Sequence, residues 1–119
     1  FIIQLKNFDR VMADRERFIS IDFSFGESGE EWEKEYAFLR FYDFLPNGLL
    51  NFNVETLATD GRYWHSYGVE ANLQKPLLKR DLVRIFKKLG FNKVGFFGSF
   101  NSEKYNKEKS PLLIGVGTR

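Results

Sequence analysis

The chain has 119 residues, which is enough for one domain with a real core. Aromatic residues make up 18% of it and exclude disorder, while the absence of cysteine excludes disulfides, a thiol nucleophile and a thiolate metal site. The net charge of +2 leaves no strong electrostatic footprint for nucleic acid, and no apolar run approaches the roughly 20 residues of a membrane span. We therefore expect a globular cytoplasmic protein with neither a nucleic acid nor a membrane as partner.

The first quarter of the chain predicts two strands around a polar segment. Residues 1–5 are apolar and β-prone, as in a buried strand, and residues 7–17 are polar with one helical turn around Val11. Residues 18–25 alternate between apolar and polar side chains, which predicts a half-buried strand. Residues 26–31 follow as a turn with acidic side chains, and residues 30–33 are interpreted as solvated.

The middle of the chain predicts an antiparallel meander. Strands are expected over residues 35–44, 50–57 and 62–73, because apolar and polar side chains alternate along them. A turn is predicted at Pro46-Asn47-Gly48, and Asp60-Gly61 indicates a two-residue hairpin loop. We expect one face of the meander to be buried and the other to be exposed to solvent.

The last third predicts a helix followed by two strands. The helix covers residues 78–89, with apolar side chains at helical spacing and Gly90 after its end; the apolar positions are Leu78, Leu82, Ile85, Phe86 and Leu89. Strands are expected over residues 93–99 and 112–118, separated by a polar loop. With the first strand, these elements predict an α+β fold organised as a single unit over residues 1–119.

Among the residues whose side chains could take part in catalysis or binding, none is predicted to be a catalytic group, a cofactor-binding residue or a metal ligand. His65 is the single histidine, and the acidic residues form no tight pair. Gly115-Val116-Gly117 opens no helix, so it is rejected as a nucleotide-binding loop.

Two groups of residues are candidates for contacts with a small molecule. Lys6, Asn7 and Arg10 follow the first strand directly, where ligands bind in open α/β sheets, although Asn7 could equally cap a helix and Asp9 is expected to be structural. The second group lies on the meander, where aromatic walls typical of a pocket and ordinary cross-strand pairs both remain open; it comprises Arg40, Tyr42, His65 and Tyr67, with Tyr36 and Tyr63 nearby.

The order of segments near the C-terminus resembles the end of the class I S-adenosylmethionine-dependent methyltransferases. The resemblance rests on Leu89-Gly90-Phe91, Val94, Phe97-Gly98-Ser99-Phe100, Tyr105 and the final Ser110-to-Gly117 run. The start, FIIQLKNFDRV, looks like the exit of strand five in glycine-type and related small-molecule N-methyltransferases, where the family reads Arg-Asn-Tyr-Asp. Asn7 and Asp9 match this pattern, whereas Lys6 and Phe8 depart from it and disfavour glycine itself as substrate.

The resemblance implies the C-terminal part of an α/β methyltransferase. Residues 1–6 would be a core strand, residues 18–73 an antiparallel lid insert, and residues 78–119 the last helix and two strands of the catalytic sheet. The first strand should lie beside the C-terminal strand, with the strand at residues 93–99 on the outer side.

The resemblance also implies partners. The methyl acceptor would be a small molecule, S-adenosylmethionine would bind a missing N-terminal half, and residues 1–119 alone would be inactive. The exposed edge of the first strand would favour dimerisation. Two alternatives are a non-enzymatic module that binds a small ligand on an aromatic antiparallel sheet, and a module that dimerises through the sheet.

Overall fold

A computed structural model describes residues 1–25 and 35–119. The acidic turn predicted at residues 26–31 and the solvated segment at residues 30–33 lie outside the described residues. In chain order the elements are β1 (Ile2–Lys6), α1 (Phe8–Asp14), β2 (Phe18–Phe25), β3 (Glu35–Phe44), a short 3₁₀ helix (Pro46–Gly48), β4 (Leu50–Thr59), β5 (Trp64–Gln74), α2 (Lys79–Lys88), β6 (Lys93–Phe97) and β7 (Leu112–Thr118). The predicted α+β class is confirmed, because two helices accompany sheets that are antiparallel throughout.

The chain divides into two compact units. Unit 1 comprises Phe1–Arg15 and Pro76–Arg119, and unit 2 comprises Glu16–Lys75. The organisation of residues 1–119 as a single unit stays a prediction. Among the described residues α2 is the longest helix, with 10 residues, and none is long and apolar enough to cross a membrane.

Unit 1 contains a three-stranded sheet in the order β1-β7-β6. β7 is antiparallel to both neighbours, with Gly115 opposite Ile3 on one side and Phe96 on the other. The predicted position of the first strand beside the C-terminal strand is therefore confirmed, as is the outer position of β6. The edge of β1 that faces away from β7 has no partner strand among the described residues.

Helix α2 packs its apolar stripe on this sheet. Leu82, Phe86 and Leu113 form the buried core of the unit, while Ile85 and Leu89, predicted on the same apolar face, are 40% and 52% exposed. The helix begins where Asp81 Oδ2 accepts a hydrogen bond from the Leu78 backbone N–H at 2.8 Å, which satisfies one of the otherwise unpaired amides near the helix start.

The two glycines of β7 provide the space for the Phe86 ring. A Cβ atom at Gly115 would lie 2.9 Å from Phe86 Cε2, and one at Gly117 would lie 2.8 Å from Phe86 Cε1. Real Cβ atoms almost never approach other atoms so closely. The Gly-Val-Gly spacing is thus explained by packing of an aromatic ring against a strand.

Unit 2 is a four-stranded antiparallel meander in the order β2-β3-β4-β5. The predicted turn at Pro46-Asn47-Gly48 is confirmed, and Gly48 has φ +72°, which a glycine adopts without strain. The two-residue loop predicted at Asp60-Gly61 is wrong, since the turn spans residues 60–63. Asp60 Oδ1 accepts a hydrogen bond from Arg62 N at 3.0 Å, so the side chain builds a longer Asx-type turn.

The two faces of the unit 2 sheet differ in character. Cross-strand register places on one face, which we call the apolar face, the apolar side chains of Phe18, Ile21, Phe23, Phe25, Ala37, Leu39, Phe41, Leu57, Trp64, Val69 and Leu73. The same face also carries seven polar side chains, those of Glu35, Asp43, Asn51, Asn53, Glu55, Thr59 and Ser66. The opposite face, called the mixed face, carries Tyr36, Phe38, Arg40, Tyr42, Ala58 and His65. The predicted half-buried state of residues 18–25 is wrong for its second half, because residues 21–25 are exposed.

Candidate functional site

A polar cluster lies at the carboxyl end of β1 in unit 1. β1 ends at Lys6 and α1 begins at Phe8, so Asn7 occupies the junction between strand and helix. The chain from residue 98 to 111 approaches this junction, because β6 and β7 pair in the same sheet and their connection must return to it. We call Asn7, Asp9, Tyr105 and Ser110 the β1-end cluster.

Asn7 uses every hydrogen-bonding group of its side chain. It is 2% exposed, and Nδ2 donates to the carbonyl oxygens of Lys107 at 3.0 Å and Ser110 at 2.8 Å. Oδ1 accepts from Arg10 N at 3.1 Å and from the Tyr105 hydroxyl. Since an amide side chain offers two donors and one acceptor oxygen with two lone pairs, its capacity is filled.

Asp9 connects the cluster to the start of α2. Its Oδ2 accepts from the Lys79 backbone N–H at 3.1 Å and from the Tyr105 hydroxyl at 2.6 Å. A carboxylate that contacts the first N–H group of α2 is favourable, because the helix start has unpaired N–H groups and a partial positive charge. Burial raises the pKa of Tyr105 above its usual range, and the hydrogen bond to Asp9 and the Asp9 charge raise that pKa further. Tyr105 is therefore neutral, and its single O–H proton is shared between Asn7 Oδ1 and Asp9 Oδ2.

A cleft of about 580 Å³ lies beside the cluster. Its walls come from α1 and from the loop before β7, and they are Asp9, Arg10, Ala13, Asp14, Lys107 and Glu108. Arg10 Nε lies 3.8 Å from Asp14 Oδ2, and both side chains are about half exposed (42% and 57%), so this ion pair is weak and open to competition. With three carboxylates and two cations, the cleft suits a small polar molecule that carries both charges or an amine.

The structure separates the three residues predicted after β1. Arg10 lines the cleft, and Lys6 is exposed and is not among the residues that line it. Asn7 is the N-cap of α1, which is one of the two interpretations left open by the sequence. The structural role expected for Asp9 agrees with its hydrogen bonds, although the same carboxylate also faces the cleft.

The four predicted residues of unit 2 share the mixed face but lie in two places. Arg40 pairs with Asp22 and lies 5.9 Å from the centre of the Phe38 ring. Tyr42 is 4% exposed and contacts the ring of Phe52.

His65 and Tyr67 lie at the other end of that face, beside a depression of about 170 Å³ that includes Asp60. His65 lies opposite Ala58, which in turn lies opposite Tyr36, and Tyr36 is four residues from Arg40 along β3. At about 3.3 Å per residue, the two places are therefore roughly 13 Å apart. One small molecule would not contact both.

Sequence reasoning did not name Tyr105, Lys107 and Ser110 as site residues, and the structure brings them to Asn7. The hydrogen bond from Asn7 Nδ2 to the Ser110 carbonyl oxygen joins residues 103 positions apart, so no local pattern could pair them. The available signal was a single aromatic residue, Tyr105, within a loop that is otherwise polar from residue 101 to 110.

Two places where a strand end or a glycine pair could cradle a cofactor are filled by protein side chains. Gly115 and Gly117 are covered by the Phe86 ring, and the strand-to-helix junction after β1 is filled by the Asn7 side chain. In residues 1–25 and 35–119, no group of three His, Cys, Asp or Glu side chains could hold a metal ion.

Comparisons with known proteins assign no family to the chain. No model of a protein family matches it, and no curated protein matches it at a significant level.

Proposed function

We propose that this chain is the C-terminal, substrate-lid portion of an S-adenosylmethionine-dependent methyltransferase that acts on a small molecule. The observation that carries the proposal is the β1-end cluster with its polar cleft, at the carboxyl end of an edge strand in the β1-β7-β6 sheet. In the larger α/β sheet that the resemblance implies, ligands bind beyond the carboxyl ends of the parallel strands. The strand order is also the one that the methyltransferase resemblance implies for the end of the catalytic sheet.

In this proposal the chain binds and orients the methyl acceptor. The cofactor would bind to residues outside this chain and would supply the methyl group. Arg10 and Lys107 would bind an anionic group of the acceptor, and Asp9, Asp14 and Glu108 would bind a cationic one. The hydrogen bonds from Asn7 to Lys107 and Ser110 hold the loop that carries these groups, so the cleft is formed before the acceptor arrives.

Calorimetric titration with S-adenosylmethionine tests the first part of the proposal. We expect no binding to the 119-residue chain and saturable binding to the longest natural protein that contains it. One-to-one binding by residues 1–119 would contradict the assignment of the cofactor to another segment. Absence of binding by the longest protein would contradict a methyltransferase altogether.

Kinetics of the longest protein test the role of the cleft. Small amines, carboxylates and amino acids are screened for release of S-adenosylhomocysteine, and Arg10→Ala and Lys107→Ala are then compared with wild type. We expect a higher KM for the acceptor and an unchanged Kd for the cofactor. Lys93→Ala, an exposed cation on β6 outside the cleft, is the matched control.

A non-enzymatic module for binding or dimerisation is the second candidate, and the apolar face of unit 2 favours it. A groove of about 260 Å³ on this face is lined by Ile21, Phe23, Ala37, Leu57 and Trp64. This hypothesis predicts that residues 1–119 alone bind a small apolar dye with a change in Trp64 fluorescence. The methyltransferase proposal requires no such binding.

A further inference from the structure

We propose that the apolar face of the unit 2 sheet is the interface of a homodimer, in which the sheets of two copies pack face to face. The inference rests on this sheet alone and does not depend on the proposed methyltransferase activity. It also differs from pairing through the β1 edge, because side chains and not backbone groups would make the contact.

The first observation is the amount of apolar surface that this face exposes. Phe18, Phe23, Phe25 and Trp64 are 63%, 59%, 74% and 46% exposed. At roughly 200 Å² per aromatic side chain these fractions correspond to about 500 Å². The exposed parts of Ile21, Val69 and Leu73 bring the total to about 700 Å², above the largest patch of a typical monomer and near the roughly 800 Å² that each partner buries in a standard interface.

The second observation is the shape of the face. Ala37 on β3 is small, and the rings of Phe23 and Trp64 approach each other across it to 6.2 Å between centroids. The groove left between these rings and Leu57 is open to solvent and lined by carbon. Such a hole receives an apolar side chain from an opposing sheet, as in the interdigitated core of a β-sandwich.

The third observation is the distribution of the large side chains over the sheet. They lie mainly on the two outer strands, with Phe18, Phe23 and Phe25 on β2 and Trp64, Val69 and Leu73 on β5. A two-fold axis parallel to the strands places β2 of one copy over β5 of the other. Side chains of β2 then pack against those of β5 in both halves of the interface, so the face makes the same contact twice.

Charge favours a second copy over an anionic membrane or a nucleic acid. The charged side chains that β2 to β5 place on this face are Glu35, Asp43 and Glu55, with no lysine or arginine among them. Asp43 is paired with Arg17 at 2.6 Å, and Glu55 accepts a hydrogen bond from Ser66 at 2.9 Å. A phosphate-rich surface would meet carboxylates here with no lysine or arginine of β2 to β5 to bind it, so this face is not built to bind phosphate.

Sedimentation equilibrium of the 119-residue chain over a wide concentration range tests the inference. We expect a wild-type dimer, and we expect Phe23→Lys and Trp64→Lys each to raise the dimer Kd at least ~100-fold, because each substitution occurs twice in a symmetric interface. Since about half of each side chain is exposed, the variants should fold, and an unchanged circular dichroism spectrum checks this. Phe100→Lys, at 75% exposure on the loop after β6, is the matched control and should leave the dimer intact.

Three outcomes would overturn the inference. They are a wild-type chain that stays monomeric at every concentration, a dimer that persists in both face variants, and a dimer that is lost in Ile2→Lys on the β1 edge but kept in Phe23→Lys. The readout contains no cofactor, so its failure is distinguishable from failure of the methyltransferase proposal.

Discussion

Replacing Asn7 by aspartate separates a simple helix cap from the wider role that the structure assigns to this residue. Aspartate caps helices as well as asparagine does, and its charge near the start of α1 is itself favourable. If Asn7 only capped α1, the Asn7→Asp variant would be as stable as wild type or slightly more stable. The structure predicts the opposite, because the Nδ2 atom that donates to Lys107 O and Ser110 O would become an oxygen.

The magnitude follows from the groups left without partners. Asn7→Ala loses the cap, worth about 1 kcal/mol, and leaves carbonyl acceptors without a donor, at about 1–3 kcal/mol. We therefore expect the free energy of unfolding to fall by about 2–4 kcal/mol in Asn7→Ala. Asn7→Asp keeps the cap but sets a buried carboxylate oxygen against two carbonyl oxygens, so its loss should be at least about 2 kcal/mol.

Urea denaturation followed by far-UV circular dichroism measures these losses. Asn101→Asp is the matched control, because Asn101 is an exposed residue of the neighbouring loop and its substitution should change stability by less than about 0.5 kcal/mol. An Asn7→Asp variant with wild-type stability would refute the reasoning, since it would show that the amide donors of Asn7 contribute nothing.

Two further predictions concern unit 1. Gly117→Ala should cost about 1–3 kcal/mol by overpacking against Phe86, and the loss should be smaller in a Phe86→Leu background; equal losses in both backgrounds, measured in a double-mutant cycle, would contradict the packing role of this glycine. Tyr105→Phe should cost about 1.5–3 kcal/mol at neutral pH, because the hydrogen bond to the Asp9 carboxylate is lost. The pKa of Tyr105 is raised in the folded state, so its contribution is complete below the unfolded pKa of about 10 and is lost as pH rises above it. Denaturation at several pH values should show the difference between wild type and Tyr105→Phe shrinking above about pH 10, whereas a constant difference would count against the raised pKa.

Local chemistry was enough to predict most of the secondary structure. The spacing of Leu82 and Phe86 predicted α2, and Pro46-Asn47-Gly48 predicted the turn between β3 and β4. These signals are readable because helix and strand periods and positive φ values depend on residues that are close in the chain. The two-residue loop at Asp60-Gly61 failed for a local reason too, since the Asp60 side chain stabilises a longer turn.

Only one wall of the candidate cleft could be predicted from the sequence. The position of Asn7 and Arg10 after a strand pointed to the carboxyl end of β1, and the cleft lies there. Its other wall, at Lys107 and Glu108, comes from a loop about a hundred residues away that strand pairing brings back. A pattern within one segment holds no information about which distant segment will face it.

The sequence by itself determined the alternation of apolar and polar residues, and with it the strands, the main helix and the α+β class. Only the tertiary structure decided what those residues face. In the folded chain the Phe86 ring packs directly against Gly115 and Gly117, and the Asn7 side chain lies at the centre of a hydrogen-bond network. It also left Phe23 and Trp64 exposed on a sheet face that the alternation alone assigned to a core. Periodicity shows that two faces differ, but exposure depends on which elements pack against each of them, and that follows from contacts between residues far apart in the chain.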